Sequence, residues 1–277
     1  MKVYSAQLQE GSAEDRLLIA DRGVIVLDGA TSHDPAYPSA HSYVDTLGFE
    51  LLERLPSPCA LTDILSAAIE STAAKLQLHP GGRAPSSTVA MVRIETDWVE
   101  TLVLGDSSVV VGYIDGTHVV ISDERLDALG IPESQLYHEH LQAGGGYSSQ
   151  HFDLLRLLQH EQRQRRNRPD GYWIAEADPA AGYEAIVRRY PMDRVDWVAL
   201  ATDGAAKPLT PLQCPWHEVA NLDDRGLAQL LDRCHRWEAH TDPSGRLQPR
   251  SKRHDDKTLA IVRPNAADRV HEDSSSA

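Results

Sequence analysis

Four aspartates in this 277-residue sequence stand beside small or apolar stretches, where strands are expected to end. The first, Asp28, follows the unbroken apolar run 24–27 and precedes Gly29. The other three are Asp106, Asp203 and Asp255. Carboxylate oxygens are the ligands that hard cations such as Mg²⁺ and Mn²⁺ prefer, and these ions keep several waters besides. The pattern therefore predicts that four chain segments meet around divalent metal ions.

The chemistry expected of such a centre is phosphoryl transfer to water. Two divalent ions about 3.5–4 Å apart acidify a shared water and clamp a phosphoryl oxygen, so no protein nucleophile is needed. Asp28, Asp203 and Asp255 are candidate ligands, and the carbonyl of Gly29 adds an oxygen where no Cβ blocks the approach. Each acid alone has a simpler interpretation, because Asp-Gly at a strand end is most often a turn. Only the set of four favours a metal centre.

Apolar periodicity predicts the elements that must position these acids. Strands are expected at 3–8, 16–20, 24–27, 88–94, 98–104, 109–114, 117–121, 195–201 and 258–262. Helices are expected at 39–55, from a cap at Thr62 onward, and at 221–237, and the polar region 123–185 is expected to be mostly helical. Asp115-Gly116 is a hairpin signal, and hairpin-linked strands pair antiparallel, not as a doubly wound parallel sheet.

The acids lie in the first and last parts of the chain, so we expect one domain over residues 1–263. Residues 264–277 contain few apolar side chains and are expected to form a disordered tail.

Composition excludes several classes of function. The formal net charge of −14 argues against nonspecific nucleic-acid binding, which needs a dense cationic surface. No apolar run approaches the roughly 20 residues that span a bilayer. The three cysteines form no CxxC pair, which predicts a reducing cytoplasm and no disulfide framework, and residues 1–7 lack a signal-peptide core.

The order of these motifs resembles that of the metal-dependent PPM-type (type 2C) serine/threonine protein phosphatases, over about residues 5–262. The matching segments are Ala13-Glu14-Asp15, residues 24–29, residues 86–90 (Ser-Ser-Thr-Val-Ala), Gly105-Asp106-Ser107-Ser108, Thr202-Asp203-Gly204 and Asp255-Asp256-Lys257-Thr258. Each motif is weak alone, but six in the family's order are fairly specific.

The resemblance implies a fold, a reaction and a set of roles. The fold is an α+β four-layer sandwich, with two antiparallel sheets flanked by helices. The reaction is the Mg²⁺- or Mn²⁺-dependent hydrolysis of phosphoserine and phosphothreonine in proteins, by a hydroxide that bridges two metals and attacks in line. Glu14 and Asp15 are expected to hold metal-bound waters. The implied ligands are Asp28 bridging both metals, the Gly29 carbonyl on the first, Asp203 and Asp255 on the second, and Asp106 on a weaker third.

Four positions depart from the family pattern: Glu10, Ala30, Ser108 and Asp256. Many members carry a phosphate-gripping arginine where Glu10 stands, and a carboxylate there is expected to repel phosphate. Ala30 replaces a histidine proposed as proton donor, Ser108 replaces an arginine, and Asp256 replaces an asparagine. These departures motivate two alternatives: a non-catalytic member that binds a protein or phosphoprotein partner, and a phosphatase for small phosphorylated metabolites.

Two features of the middle region have their own interpretations. Arg163, Arg165, Arg166 and Arg168 form a basic cluster. We interpret the cluster as a solvated helix end favoured by the helix dipole, with a phosphopeptide or acidic-partner site as the alternative. The region 123–182, which is polar and contains three consecutive glycines at 144–146, is expected to cover the substrate.

Overall fold

A computed structural model describes residues 1–10, 13–30, 37–81 and 83–265. Within these ranges the strands are β1 (Lys2–Leu8), β2 (Asp15–Ala20), β3 (Gly23–Ala30), β4 (Ser86–Ile94), β5 (Trp98–Leu104), β6 (Ser108–Tyr113), β7 (His118–Ile121), β8 (Ile186–Pro191), β9 (Val195–Ala201) and β10 (Lys257–Arg263). The α-helices are α1 (Ala40–Arg54), α2 (Leu61–Leu76), α3 (Pro132–Gln142), α4 (Ser149–Gln164), α5 (Asp203–Ala206), α6 (Trp216–Val219) and α7 (Asp224–His240). The 3₁₀ helices are Asp127–Leu129, Pro179–Glu184, Met192–Arg194 and Lys207–Leu209. Most of the predicted tail, residues 266–277, lies outside the described residues.

The strands form two five-stranded sheets, and every pairing between strands is antiparallel. Sheet I has the order β1-β10-β9-β6-β7, and sheet II has the order β2-β3-β4-β5-β8. Sheet I thus joins the first strand to the last, and Lys2 pairs with Arg263. The prediction of antiparallel sheets is confirmed.

Strand β3 shows how the layers pack. Val24 and Val26 face sheet I across a core that also contains Val198 and Leu200 of β9. Ile25 and Leu27 face the opposite way and pack against α1 and α2. Because both faces of β3 are buried, its sequence is apolar without alternation. On the far side of sheet I, α5 and α7 cover a third core. The predicted four-layer sandwich is confirmed.

The two helices over sheet II begin in different ways. At α1, the Ser39 side chain accepts a hydrogen bond from the Ser42 backbone N–H at 3.2 Å, which caps the helix. Helix α2 begins at Leu61 after Ala60, with no side-chain cap, so the prediction that Thr62 caps it is wrong. Thr62 instead lies within the first turn.

Apolar periodicity did not predict strand β8, whereas it did predict a mostly helical middle region. Strand β8 lies at the edge of sheet II, where Arg188 and Arg189 are exposed to solvent. An edge strand with a solvent face does not need an apolar run, so periodicity gave no signal. The polar middle region contains α3 and α4, which form a small core of their own.

No described helix is long and apolar enough to cross a membrane.

Candidate functional site

The site begins as a row of side chains across sheet II. Asp28 of β3 pairs with Asp15 of β2 on one side and with Thr88 of β4 on the other. Residues opposite each other in antiparallel strands project from the same face of the sheet. The register therefore places two carboxyl groups side by side where β3 leaves the core.

Asp15 connects this row to sheet I. Its side chain is buried, and its Oδ2 accepts hydrogen bonds from the hydroxyls of Thr202 (2.9 Å) and Thr258 (2.8 Å). Its Oδ1 is buried without a hydrogen-bond partner among the described residues. Burial raises the pKa of Asp15 to about 7, against the effect of the two threonine hydrogen bonds. One oxygen is thus fixed by the fold, and the other has no donor of its own.

Asp203 brings the end of sheet I to the same place. It is the first residue of α5, and its carboxyl group lines the same cavity as that of Asp28. A Cβ on the next residue, Gly204, would lie 2.1 Å from the carbonyl oxygen of Asp256, so only glycine lets α5 start this close to the segment before β10. Burial, and then the neighbouring Asp15 and Asp203 carboxylates, raise the pKa of Asp28 well above its ordinary value.

Two lysines partly balance this negative charge. Lys207 Nζ lies 2.8 Å from Asp203 Oδ2 and 3.6 Å from Asp106 Oδ2. Lys252 Nζ lies 2.8 Å from Asp255 Oδ1. Both lysine side chains are about half exposed, so each ammonium group can turn toward solvent.

Glu14 and Gly29 lie next to each other at the rim. The Gly29 N–H donates to the Glu14 carbonyl at 3.2 Å. A Cβ at Gly29 would lie 2.9 Å from that carbonyl oxygen and 2.9 Å from Val44 Cγ1, so a larger residue does not fit here. The Glu14 side chain is buried, with its Oε2 3.8 Å from Lys252 Nζ.

Asp256 holds the turn that carries these acids. Its Oδ1 accepts the backbone N–H of Glu10 at 2.5 Å, and its Oδ2 accepts those of Glu14 at 2.5 Å and Asp15 at 3.3 Å. The side chain is 4% exposed, so Asp256 is a buried structural carboxylate and not a solvated one. A carboxylate is suited to this position because it only accepts hydrogen bonds.

The acids line a cavity of about 310 Å³. One part of its wall consists of Glu14, Asp28, Gly29, Asp106, Asp203 and Asp255. Other lining residues come from α4 and the segments near it: Arg83, Gln159, Gln162, Arg163 and Arg166. The structure thus brings together all five predicted ligands and Glu14, with Asp15 hydrogen-bonded behind them. Helix α4 borders the same cavity.

This donor set suits hard divalent cations. It offers several carboxylates together with Gly29, and the lining residues that the structure describes contain no sulfur and no imidazole. The Oδ1 of Asp15 is a buried acceptor without a donor, and burial together with the neighbouring carboxylates raises the pKa of Asp28. The residues present therefore fit a cation centre, and Asp28, Asp203 and Asp255 could hold it.

Sequence comparison now identifies the chain. The family model for protein phosphatase 2C matches residues 12–248. The chain belongs to the protein phosphatase 2C family. No curated protein shows significant overall sequence similarity to it.

Solved structures of serine/threonine phosphatases share the fold at low identity. The serine/threonine phosphatase Stp1 from Staphylococcus aureus is 11% identical, with a TM-score of 0.55, covering 96% of this chain and 95% of that one. The catalytic domain of the phosphatase PstP, in complex with two manganese ions, is 13% identical, with a TM-score of 0.52 and coverages of 94% and 96%. The phosphatase MsPP from Mycobacterium smegmatis, in complex with cacodylate, is 15% identical, with a TM-score of 0.52 and coverages of 96% and 99%.

The structure shows where three of the departures from the family pattern lie. Glu10 was expected to repel phosphate, but its Oε1 lies 3.1 Å from His235 Nδ1 and Glu10 is not among the cavity-lining residues. Ser108 is buried at the start of β6, opposite Ala201 of β9. Ala30 does line the cavity. Its neighbour His33 lies outside the described residues.

The interpretation of the basic cluster as a solvated helix end is wrong for part of it. The Arg166 side chain is only 12% exposed and pairs with the buried Glu176. Arg163 and Arg166 both line the cavity. The signal was present in the sequence, because a dense group of arginines in a strongly acidic chain is a candidate anion site.

Proposed function

We propose that this 2C-family protein hydrolyses phosphoserine and phosphothreonine in proteins and uses two Mg²⁺ or Mn²⁺ ions for the reaction. Asp28, the Gly29 carbonyl, Asp203 and Asp255 would hold the two ions, and Asp106 would hold a weaker third. Glu14 and Asp15 would orient waters on them. The cysteine usage favours the cytoplasm as its location.

One observation carries this proposal. Asp28 ends a core strand of sheet II and Asp203 begins α5 directly after sheet I, 175 residues later in the sequence, yet both line one cavity together with Asp255. Bringing several carboxylates together is unfavourable unless a cation compensates their charge.

The roles of the chain's own groups follow from this arrangement. When bound, the ions supply a Lewis acid that lowers the pKa of water and polarises the phosphoryl group. Asp15 is held by two threonine hydroxyls, which leaves its buried Oδ1 without a protein donor and able to accept a hydrogen bond from an ordered water behind the cavity wall. The rigid β2–β3 register fixes the spacing of Asp15 and Asp28, which is the positioning that phosphoryl transfer requires.

The test is a substitution that keeps the shape of the site. Asp28→Asn should reduce Mn²⁺-dependent hydrolysis of p-nitrophenyl phosphate by at least about a hundredfold, since one bridging charge is lost. It should also weaken Mn²⁺ binding measured by calorimetry. Asp21→Asn, in the exposed turn between β2 and β3, is the matched control and should behave like the wild type. Full activity in the Asp28→Asn protein would refute the proposal.

The second candidate function, a non-catalytic binding protein, is favoured by the two lysines. Lys207 and Lys252 already pair with Asp203 and Asp255, and such pairing lowers the gain from binding a metal. A protein of this kind would bind Mn²⁺ only weakly and would not turn over phosphopeptides. Calorimetric Mn²⁺ titration beside a turnover assay separates the two functions. A panel of phosphopeptides against sugar and nucleotide phosphates tests the third possibility, a metabolite phosphatase.

A further inference from the structure

The cavity lacks the phosphate-binding arginine expected at position 10, but it does not lack cationic side chains. Glu10 turns away to His235. Three guanidinium groups, those of Arg83, Arg163 and Arg166, line the same cavity as the acids. A phosphate monoester that reaches the metal centre carries negative charge on its peripheral oxygens, and these need donors on the protein side.

Arg166 is occupied by structural contacts. Its Nη1 lies 3.3 Å from Glu176 Oε1 and donates to the Ala84 carbonyl at 3.3 Å, and its Nε donates to the Tyr172 hydroxyl at 3.1 Å. These contacts fix the connection after α4. Its charge is largely matched by Glu176, so it contributes more to the shape of the cavity than to binding.

Arg163 is in a different situation. It lies in the last turn of α4, and its Nε donates to the Gln159 carbonyl at 3.1 Å. Among the described residues, no carboxylate lies within 4.0 Å of its guanidinium group. Desolvation, and then the nearby charges of Arg166 and Arg83, lower its pKa. A partly buried cation beside two others is stabilised by an anion, and the remaining N–H groups of Arg163 are available to bind one.

We propose that Arg163 binds the phosphoryl oxygens of the substrate, and that α4 thereby supplies the phosphate contact that residue 10 does not. This rests on the proposed phosphatase function. The planar guanidinium group can present two parallel N–H donors to a phosphate, which a lysine cannot do. The phosphate would then be held on one side by metal ions bound to the acidic residues and on the other side by Arg163 in the last turn of α4.

Two variants on the same helix test this assignment. Arg163→Ala removes the phosphate contact, and Arg163→Lys keeps the charge but loses the paired donors. Arg165→Ala is the matched control, because Arg165 also donates to a carbonyl four residues earlier, that of Glu161 at 2.8 Å, but does not line the cavity. The measurements are kcat and KM for a phosphothreonine peptide with saturating Mn²⁺, and inhibition by inorganic phosphate.

Arg163→Ala should raise KM and the inhibition constant of inorganic phosphate by about tenfold to a hundredfold, the usual range for a lost hydrogen bond to a charged group. Arg163→Lys should lie between this variant and the wild type, and Mn²⁺ affinity should change less than about twofold. Unchanged phosphate inhibition in Arg163→Ala, or an equal loss in Arg165→Ala, would overturn the assignment.

The Arg163 phosphate contact and the phosphatase function can fail separately. If the wild type turns over no phosphorylated substrate, the proposed function fails. Calorimetric titration of inorganic phosphate into the Mn²⁺-loaded protein then still tests the Arg163 phosphate contact. Weaker phosphate binding by Arg163→Ala than by Arg165→Ala supports the contact, and no phosphate binding by the wild type refutes it.

Discussion

The ammonium group of Lys207 lies between two acids of the site, 2.8 Å from Asp203 Oδ2 and 3.6 Å from Asp106 Oδ2. Lys207 follows Asp203 by one helical turn, so the local backbone sets the contact. Desolvation opposes ionisation of Asp203, but the lysine outweighs it and lowers the pKa of Asp203. The chain therefore carries its own cation where a third metal is expected.

Removing this cation should strengthen metal binding at Asp106. In Lys207→Ala, a divalent ion no longer competes with an ammonium group, so we expect an additional Mn²⁺ ion or a fall on the order of tenfold in the dissociation constant of the weakest one. Calorimetry with ion counting by mass spectrometry measures both. Lys207→Arg keeps the charge and should resemble the wild type. Identical stoichiometry and affinity in all three proteins would show that Lys207 does not compete.

The metal-free protein should become less stable as pH rises. Burial raises the pKa of Asp15 to about 7, and burial with neighbouring carboxylates raises that of Asp28 well above its ordinary value. A carboxyl group whose pKa is higher in the folded than in the unfolded protein contributes stability that is fully present below its unfolded-state pKa, roughly 4. This contribution is lost as the pH rises through its folded-state pKa. Since one pKa unit is worth about 1.4 kcal/mol, Tm should fall by about 5 °C or more between pH 5 and pH 8.

Thermal unfolding with and without Mn²⁺ measures this effect. Saturating metal should remove most of the fall, because it stabilises the ionised carboxylates. Asp28→Asn has no charge to lose, so its metal-free Tm should vary less with pH than that of the wild type. A metal-free Tm that stays constant or rises from pH 5 to pH 8 would contradict the prediction.

Asp256 should be needed as a carboxylate, although the family pattern has asparagine. In Asp256→Asn, one oxygen becomes an NH₂ group that faces backbone N–H donors of Glu10, Glu14 or Asp15. We expect a loss of about 1–3 kcal/mol of unfolding free energy, from donors left without an acceptor. Denaturant unfolding measures it. Asp21→Asn, in the exposed turn between β2 and β3, is the control, and an Asp256→Asn protein as stable as this control would show that the three contacts contribute little.

The sequence predicted much of the fold because the core strands are so apolar. The run at 24–27 predicts a strand buried on both faces, and its closing Asp28 predicts the position of a site residue. Strand β8 left no such signal, since an edge strand can carry exposed arginines. The order of the motifs predicted which acids meet, because each comes at a strand end.

The contacts between distant side chains could not be predicted in this way. Glu10 and His235 are 225 positions apart, and only the packing of α7 beside β1 brings them together. Burial of Arg166 depends on Glu176, which lies in a chain segment without regular periodicity. Such pairs leave no local sequence pattern. Only the structure shows that the Glu10 carboxylate contacts His235 and that Arg166 is buried beside Glu176.

The buried pair Glu238–Lys257 should couple stability to the geometry of Asp255. Lys257 Nζ is fully buried, donates to Glu238 Oε2 at 2.9 Å, and also donates to the carbonyl of Asp255 at 2.8 Å. Glu238→Ala leaves this ammonium group without its carboxylate, which should cost about 3–5 kcal/mol. The backbone at Asp255 should shift with it, so Mn²⁺ binding should weaken as well.

A double substitution separates the loss of charge from the loss of packing. Replacing both members of a buried ion pair with apolar side chains is often close to neutral, so Glu238→Leu with Lys257→Met should recover most of the unfolding free energy lost in Glu238→Ala. The double variant still lacks the Lys257 donor to Asp255, so its Mn²⁺ affinity should stay low. Denaturant unfolding and calorimetric Mn²⁺ titration then report on different contacts of one lysine. If metal affinity recovers together with stability, Lys257 acts on the site only through the core and does not hold the Asp255 backbone.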